Sequence, residues 1–297
     1  MKNKVIIGSW PLSGDLGFTD LKTVSETLSA CISNGFYSFD TAPNYGNGFA
    51  ENCLGKLKNN SSELAFFTKF GSLQNGDKDY SNDSLSMSLK GSLDRLNTSH
   101  VDTVFLHNPR GNEFDYKRHK EFFDYLKDIQ LIRHSGLSLA KGENYDSDEI
   151  SWFDNIMDDF NLLYLSDLSK YDTVNQNFIA RSPLATGILS GKINNSSKFN
   201  TDDYRHSWLK EKRLDSIMKR VRSIEALSDI SIKSLAIRYI LSNPNVHKMI
   251  IGVRSTKHVE DLAKDIEKPP LSSELIKAIE DLENNNFGLS EEEGIGF

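Results

Sequence analysis

The chain has 297 residues and a formal net charge of −7, enough length for one large α/β domain with a sizeable core. No basic tract is interleaved with aromatics, so nucleic acid is not expected as a partner; the run KEKRLDSIMKRVR (210–222) mixes signs at helical spacing and reads as a solvated helix face. No stretch approaches the ~18 continuous apolar residues of a membrane span, the N-terminal apolar run is too short for a signal peptide, and Cys31 and Cys53 lie in apolar settings without metal spacing, which suits a reducing cytoplasm.

In chain order, KVIIGSW (4–10) reads as a strand, and LKTVSETLSACISNG as a helix that stops at Asn34–Gly35. YSFDTA (37–42) is a second strand; it runs into a turn-rich loop with Asp40 and Tyr45 and then a helix starting near Ala50. LAFFTKF (64–70) is followed by the helical SNDSLSMSLKGSLDRLN, with Ser84 and its neighbours as cap candidates, and VDTVFLHN (101–108) by KEFFDYLKDI. IRHSGLSLA (132–140), the weaker NIMDDF (155–160) and QNFIARSPL (176–184) are strands five to seven. Two helical segments, RLDSIMKRVRSIEAL and IKSLAIRYILSN, precede KMIIGVR (248–254), the eighth strand. LSSELIKAIEDLEN reads as a closing helix, and residues 285–297 as a draped or flexible tail near the active-site mouth. Most of these strands are near-continuous apolar runs, the pattern of a parallel sheet covered on both faces. Eight alternating units in this length predict a single-domain closed (β/α)8 TIM barrel over 1–297, with an open doubly wound sheet as the alternative.

In such a barrel the chemistry sits at the C-terminal ends of the strands. Those ends carry Ser9 and Trp10, Asp40 with Tyr45 just beyond, Lys69, His107, Ser138, Arg181 and Ser182, and Gly252 and Arg254. Asp40, Lys69 and His107 end three consecutive strands, which lie ~5 Å apart, so their side chains can meet. A nearby ammonium favours a phenolate. Lys69 is therefore expected to lower the pKa of Tyr45, Asp40 to hold Lys69, and His107 to orient a substrate oxygen or help relay the proton. Such an acid suits protonating the alkoxide that forms when a carbonyl carbon receives hydride, and hydride delivery requires a nicotinamide cofactor. YGNGFAEN looks like a dinucleotide fingerprint but carries Glu51 at its third glycine position, so its glycines read as turn chemistry presenting Tyr45. A better anion site follows strands seven and eight, where RSPLATG and GVRSTKHVEDL bring Ser255 or Thr256 to a helix start among Arg254, Lys257 and His258. That much positive charge favours NADP(H) over NAD(H).

FDTAPNYGNGFAENCLG, LAFFTKFG, VDTVFLHNP, GLS, RSPLATGILSGK and MIIGVRSTKHVEDL together resemble, in order, the motifs of the aldo-keto reductase family across essentially the whole chain. The resemblance implies a (β/α)8 barrel, NADPH-dependent reduction of a small-molecule carbonyl, and a tetrad of Asp40, Tyr45, Lys69 and His107 with Tyr45 as proton donor. It carries cofactor contacts to Ser9, Trp10, Ser138, Ser182, Leu184, Gly252, Arg254 and His258, with Asp40, Arg181, Pro183, Gly187 and Thr256 beside them. It implies no metal. Departures from the family pattern are Leu139 in place of Asn, Met157 in place of Gln, Leu262 in place of Asn, and Arg181 in place of a stacking aromatic.

Two other readings stand beside the reductase. Lys69 at a strand end could serve a Schiff-base aldolase, or the barrel could bind nucleotide without catalysis, as an interaction subunit. The segments expected to build the pocket, PLSGDLGFT, PRGNEFDYKR and INNSSKFNTDDYRHSW, are polar and favour a sugar or nucleotide-sugar ketone over a large apolar one.

Overall fold

The structure, a computed structural model, describes residues 1–57, 64–73, 77–165, 167–171 and 175–290, the side chain of Asn112 excepted. Eight parallel strands close on themselves in sequence order: β1 (Val5–Gly8), β2 (Ser38–Asp40), β3 (Ala65–Phe70), β4 (Val101–His107), β5 (Ile132–Ser138), β6 (Asn155–Asp159), β7 (Asn177–Arg181) and β8 (Lys248–Gly252), with β8 pairing back to β1. The closed barrel, not the open sheet, is the fold.

The helices around it are α1 (Leu21–Ser33), α2 (Phe49–Leu57), α3 (Asn82–Arg95), α4 (Tyr116–Asp128), α5 (Ser147–Ile150), α6 (Arg205–Trp208), α7 (Glu211–Glu225), α8 (Ile232–Ser242), α9 (Thr256–Glu267) and α10 (Ser273–Asn284). Their starts follow from local chemistry. Asp20, Ser81, Asp115, Ser255 and Ser272 each accept a hydrogen bond from a backbone N–H of the first turn. Ser81 caps α3, and Ser84 supplies the donating N–H. The sixth unit departs from the βα rule. Among the described residues between β6 and β7 the only helix is a 3-10 turn at Leu168–Lys170.

Most strands end earlier than the segments read as strands from the sequence. The seventh run continues through Leu184, but Ser182, Ala185 and Thr186 take left-handed backbone conformations (φ 55°, 46° and 55°), so the chain leaves the ladder at Arg181. At the other end, residues 286–290 pack on α7, where Arg220 donates to Asn286 and lies over the Phe287 ring. The rest of the tail expected at the barrel mouth, 291–297, lies outside the described residues.

The core has two parts. The larger lies between barrel and helices. The smaller, Ile6, Phe67, Phe105, Met157, Ile179 and Ile250, fills the barrel itself. Alternation along each strand explains this second cluster: inward residues recur every second position. Gly136 makes room for it, since a Cβ there would come within 2.3 Å of the Phe105 ring. Two residues beyond Phe67 and Phe105 the same inward face carries Lys69 and His107, so the apolar plug is the floor of the polar site.

Candidate active site

Register places the polar residues. Asp40 pairs with Gly8 on one side and Phe67 on the other, His107 is level with Ser138, and Asp159 with Arg181. Asp40, Lys69, His107, Ser138, Asp159 and Arg181 therefore all project inward at the C-terminal rim.

Lys69 is 2 % exposed, and its ammonium donates to Asp40 Oδ2 at 2.7 Å and to the Thr41 carbonyl at 2.8 Å. Its Nζ lies 4.8 Å from the centre of the Tyr45 ring. The Tyr45 ring stands edge-on to His107, with centroids 6.4 Å apart at 81°, and 6.3 Å from Trp10. The loop can hold Tyr45 there because Gly46, Asn47 and Gly48 all adopt left-handed conformations (φ 56°, 54° and 84°), which glycine and asparagine tolerate. The Y-G-N-G spelling is turn chemistry, and the four residues expected to act together do meet.

Their ionisation states follow from burial and charge. Burial pulls the Lys69 ammonium down, but the Asp40 carboxylate and the hydrogen bonds of the ammonium to Asp40 and Tyr45 outweigh it and hold Lys69 above its ordinary value. Burial pushes the Asp40 carboxyl above its ordinary value although Lys69 pulls against it, and the two form a hydrogen-bonded ion pair at 2.7 Å. His107 is depressed well below the usual histidine range by burial and by the cations Lys69 and Arg181, so it is a neutral imidazole. The expectation for Tyr45 is corrected. The residue is only partly exposed, and desolvation pushes its phenol above the ordinary tyrosine value despite the pull of Lys69, while the Asp40 charge adds to the upward push. Tyr45 rests as a protonated phenol beside the ammonium.

The residues expected to contact a cofactor divide into two groups. Near the tetrad, Ser9 is buried with no partner for its hydroxyl, His107 Nδ1 has none either, and Trp10 donates to Asp15 at 2.9 Å. Ser138 is already engaged: its hydroxyl donates to Asn108 Oδ1 (2.8 Å) and accepts from Arg181 Nη1 (2.9 Å). The Arg181 guanidinium also reaches Asp159 (2.9 Å), Asn108 (3.0 Å) and the Leu139 carbonyl (3.1 Å). The departures thus form a set. Leu139 and Met157 are buried apolar side chains, and the polar contacts beside Ser138 come from Arg181 and Asn108. Leu262 is core on α9.

The second group lies after β7 and β8. Ser182, Pro183, Leu184 and Gly187 form the tight turn leaving β7, where Gly187 N–H donates to the Leu184 carbonyl. Gly252 is required by close approach, since a Cβ there would lie 2.5 Å from Pro11 Cγ. Ser255 caps α9, which begins at Thr256; His258 sits in its first turn, 3.1 Å from Lys192 Nζ. Arg254 donates to the carbonyls of Leu16 (2.7 Å) and Gly17 (3.4 Å), tying the loop after β1 to β8. That loop also meets the one after β7 through a Leu16–Asp203 bridge, and Trp10 packs edge-on against Tyr204. A cavity of about 390 Å³ between the two loops is lined by Lys192, Phe199, Asn200, Asp203 and Arg205 among others, but by none of the tetrad.

Sequence reasoning missed Asn108, Asp159 and Lys192. The period-2 signal that finds His107 also finds Asp159, two residues past Met157. Asn108 follows a strand end with φ 54°, where asparagine is favoured. Among the described residues no cluster of three or more His, Cys, Asp or Glu could hold a metal, and no helix is long and apolar enough to cross a membrane.

With this geometry in place, comparison with known proteins is direct. A sequence model described as the Aldo/keto reductase family matches residues 4–284. The chain belongs to this family. Membership supports an oxidoreductase acting on a small molecule. Among curated relatives, a protein named as a probable voltage-gated potassium channel subunit beta from Arabidopsis thaliana is 24% identical over 91% of this chain and 89% of its own. The aldo-keto reductase YhdN of Bacillus subtilis is 27% identical over 88% and 84%. Among solved structures, the glycerol dehydrogenase AKR11B4 from Gluconobacter oxydans superposes with a TM-score of 0.82 at 21% identity, covering 99% of this chain and 94% of that one. The aldo-keto reductase AKR11C1 from Bacillus halodurans gives 0.77 at 23%, covering 94% and 91%. These last two speak for the fold.

Proposed function

We propose that the chain is an NADPH-dependent reductase that converts an aldehyde, ketone or keto-sugar to an alcohol, with Tyr45 as the proton donor. The observation that carries this reading is a protonated phenol held against a buried Lys69–Asp40 ion pair and a neutral His107. Ser9, Trp10 and Ser138 would hold the nicotinamide end of the cofactor, and the turn after β7 with Gly252, Arg254, Thr256 and His258 its phosphates. The buried, unpartnered Ser9 hydroxyl and the cations Arg254 and Lys192 around the α9 N-terminus fit such a group. When bound, the cofactor supplies the hydride. The protein supplies the rest. His107 donates from its imidazole to the carbonyl oxygen and orients it. Tyr45 gives its proton to the same oxygen as negative charge develops there, and Lys69 stabilises the phenolate left behind while Asp40 keeps the ammonium in place.

The excess of cations near α9 supports NADPH over NADH, because the extra phosphate adds negative charge at that end. The polar rim, with Asp15, Asn200, Asp203 and Arg205, supports a hydroxylated substrate such as a sugar ketone. A Schiff-base role for Lys69 is disfavoured, since such a lysine must give up its proton and here the net field holds it on. The names of the plant relatives make a cofactor-binding, non-catalytic subunit the second reading. The discriminating experiment is NADPH absorbance after addition of a carbonyl panel that includes keto-sugars. Loss of absorbance supports the reductase; tight NADPH binding with no turnover across the panel supports the subunit.

A further inference from the structure

Glu51, the residue that breaks the dinucleotide fingerprint, faces neither a phosphate nor solvent. Its side chain is fully buried behind the barrel wall. Oε1 accepts from Thr68 Oγ1 at 2.7 Å, and Oε2 accepts from Arg95 Nε at 2.8 Å. These two partners belong to different elements. Thr68 is the β3 residue immediately before Lys69; its side chain points outward where that of Lys69 points in. Arg95 is the last residue of α3. Glu51 itself is in the first turn of α2, one residue after Ala50, whose N–H donates to the Tyr45 carbonyl at 3.3 Å.

The same guanidinium forms the bed of the Tyr45 loop. A Cβ on Gly48 would lie 2.8 Å from Arg95 Cδ, and one on Gly91 3.0 Å from Arg95 Nη1, so the arginine side chain runs between two bare backbones. Gly48 also anchors the loop to α2 by accepting from Asn52 N–H and Nδ2, both at 3.0 Å. One carboxylate therefore joins the loop that presents the phenol to the strand that presents the ammonium. Nothing in the proton transfer touches it.

We propose that Glu51 is a positioning residue which, clamped by Arg95 and Thr68, fixes the distance between Tyr45 and Lys69. The inference rests on the reductase reading for its kinetic consequence but not for its structural one. Misplacing reacting groups by ~1 Å costs up to ~10²-fold in rate. Glu51→Gln keeps size and one acceptor oxygen while removing the charge that holds Arg95.

The test is carried out on the full chain. Glu51→Gln is expected to lower kcat for NADPH-dependent reduction about ten- to a hundredfold, with KM and the NADPH Kd from fluorescence within about twofold of wild type. In parallel, ultraviolet difference titration, with the Tyr45→Phe spectrum subtracted, reads Tyr45 alone and is expected to show its midpoint displaced by about half a unit or more. Thr68→Val removes one tie and leaves the ion pair; it is expected to lower kcat severalfold with KM unchanged, and it decides the matter should Glu51→Gln not fold. Unchanged kcat and an unchanged Tyr45 titration in a folded variant would overturn the proposal. So would a uniform loss of kcat, cofactor affinity and melting temperature with the Tyr45 titration intact, which is what a merely structural residue would give. Should the wild type not turn over, the reductase reading fails, and the Tyr45 titration alone judges the positioning role.

Discussion

Lys69 carries its charge with 2 % of its surface exposed, and everything that makes this tolerable lies within one hydrogen bond: the Asp40 carboxylate and the Thr41 carbonyl. Removing one member of a buried pair costs ~3–5 kcal/mol because the other is left uncompensated. Lys69→Met is therefore expected to lower stability by about that amount, and Lys69→Met with Asp40→Asn to recover most of it, as read by denaturant unfolding. Neither is expected to reduce carbonyls at more than ~1% of the wild-type rate, since general acid catalysis supplies ~10²–10⁴. A double variant that regained activity along with stability would remove Lys69 from the chemistry. The four polar residues were legible in the sequence because Asp40, Lys69 and His107 stand at or next to the last residue of their strands and Tyr45 in the turn-rich loop just after one of them. The state of Tyr45 was not. Proximity to an ammonium can be read from residue spacing, but the desolvation that outweighs it depends on how tightly the neighbours pack.

At the scale of elements, the β6–β7 pair and the start of α9 are the parts to test. Asp159 is held below the ordinary carboxylate range: burial acts upward, and Arg181, by charge and hydrogen bond, acts downward more strongly. A depressed carboxyl contributes stability above its unfolded value of ~4, and that contribution is lost as pH falls through the lower folded value. Arg181→Met is thus expected to be less stable than wild type at pH 7, with the gap closing below about pH 4; a gap independent of pH would mean that Arg181 acts by packing alone. At α9, Arg254→Ala frees the loop after β1 and removes a cation, so it is expected to weaken NADPH binding about tenfold or more and NADH binding less. Equal losses for the two cofactors, measured by fluorescence titration, would remove Arg254 from any contact with the extra phosphate. Element types were readable from periodicity, as α9 and its Ser255 cap illustrate. Strand ends were not. QNFIARSPL reads as one strand to Leu184, whereas three left-handed residues turn the chain away after Arg181.

Over the whole molecule, the site is a polar ring on an apolar plug, and the plug sets the level of the ring. Gly136→Ala would drive a methyl to 2.3 Å from the Phe105 ring, two residues below His107. Overpacking of this kind costs ~1–3 kcal/mol, and the variant is expected to lose both melting temperature and turnover; a neutral effect on both would show that the barrel interior yields more than its packing implies. The barrel was legible from eight apolar runs in order. The thin sixth unit and the bridge between the loops after β1 and β7 were not, because both depend on contacts between segments far apart in the chain. In the proposed function all of this architecture serves one phenol. The central claim is therefore tested most directly by single-turnover reduction with bound NADPH in Tyr45→Phe, which keeps the ring and removes only the transferable proton. The account predicts unchanged NADPH fluorescence in the binary complex and a rate lower by ~10²–10⁴. A variant that reduced substrate within a few-fold of wild type would contradict it.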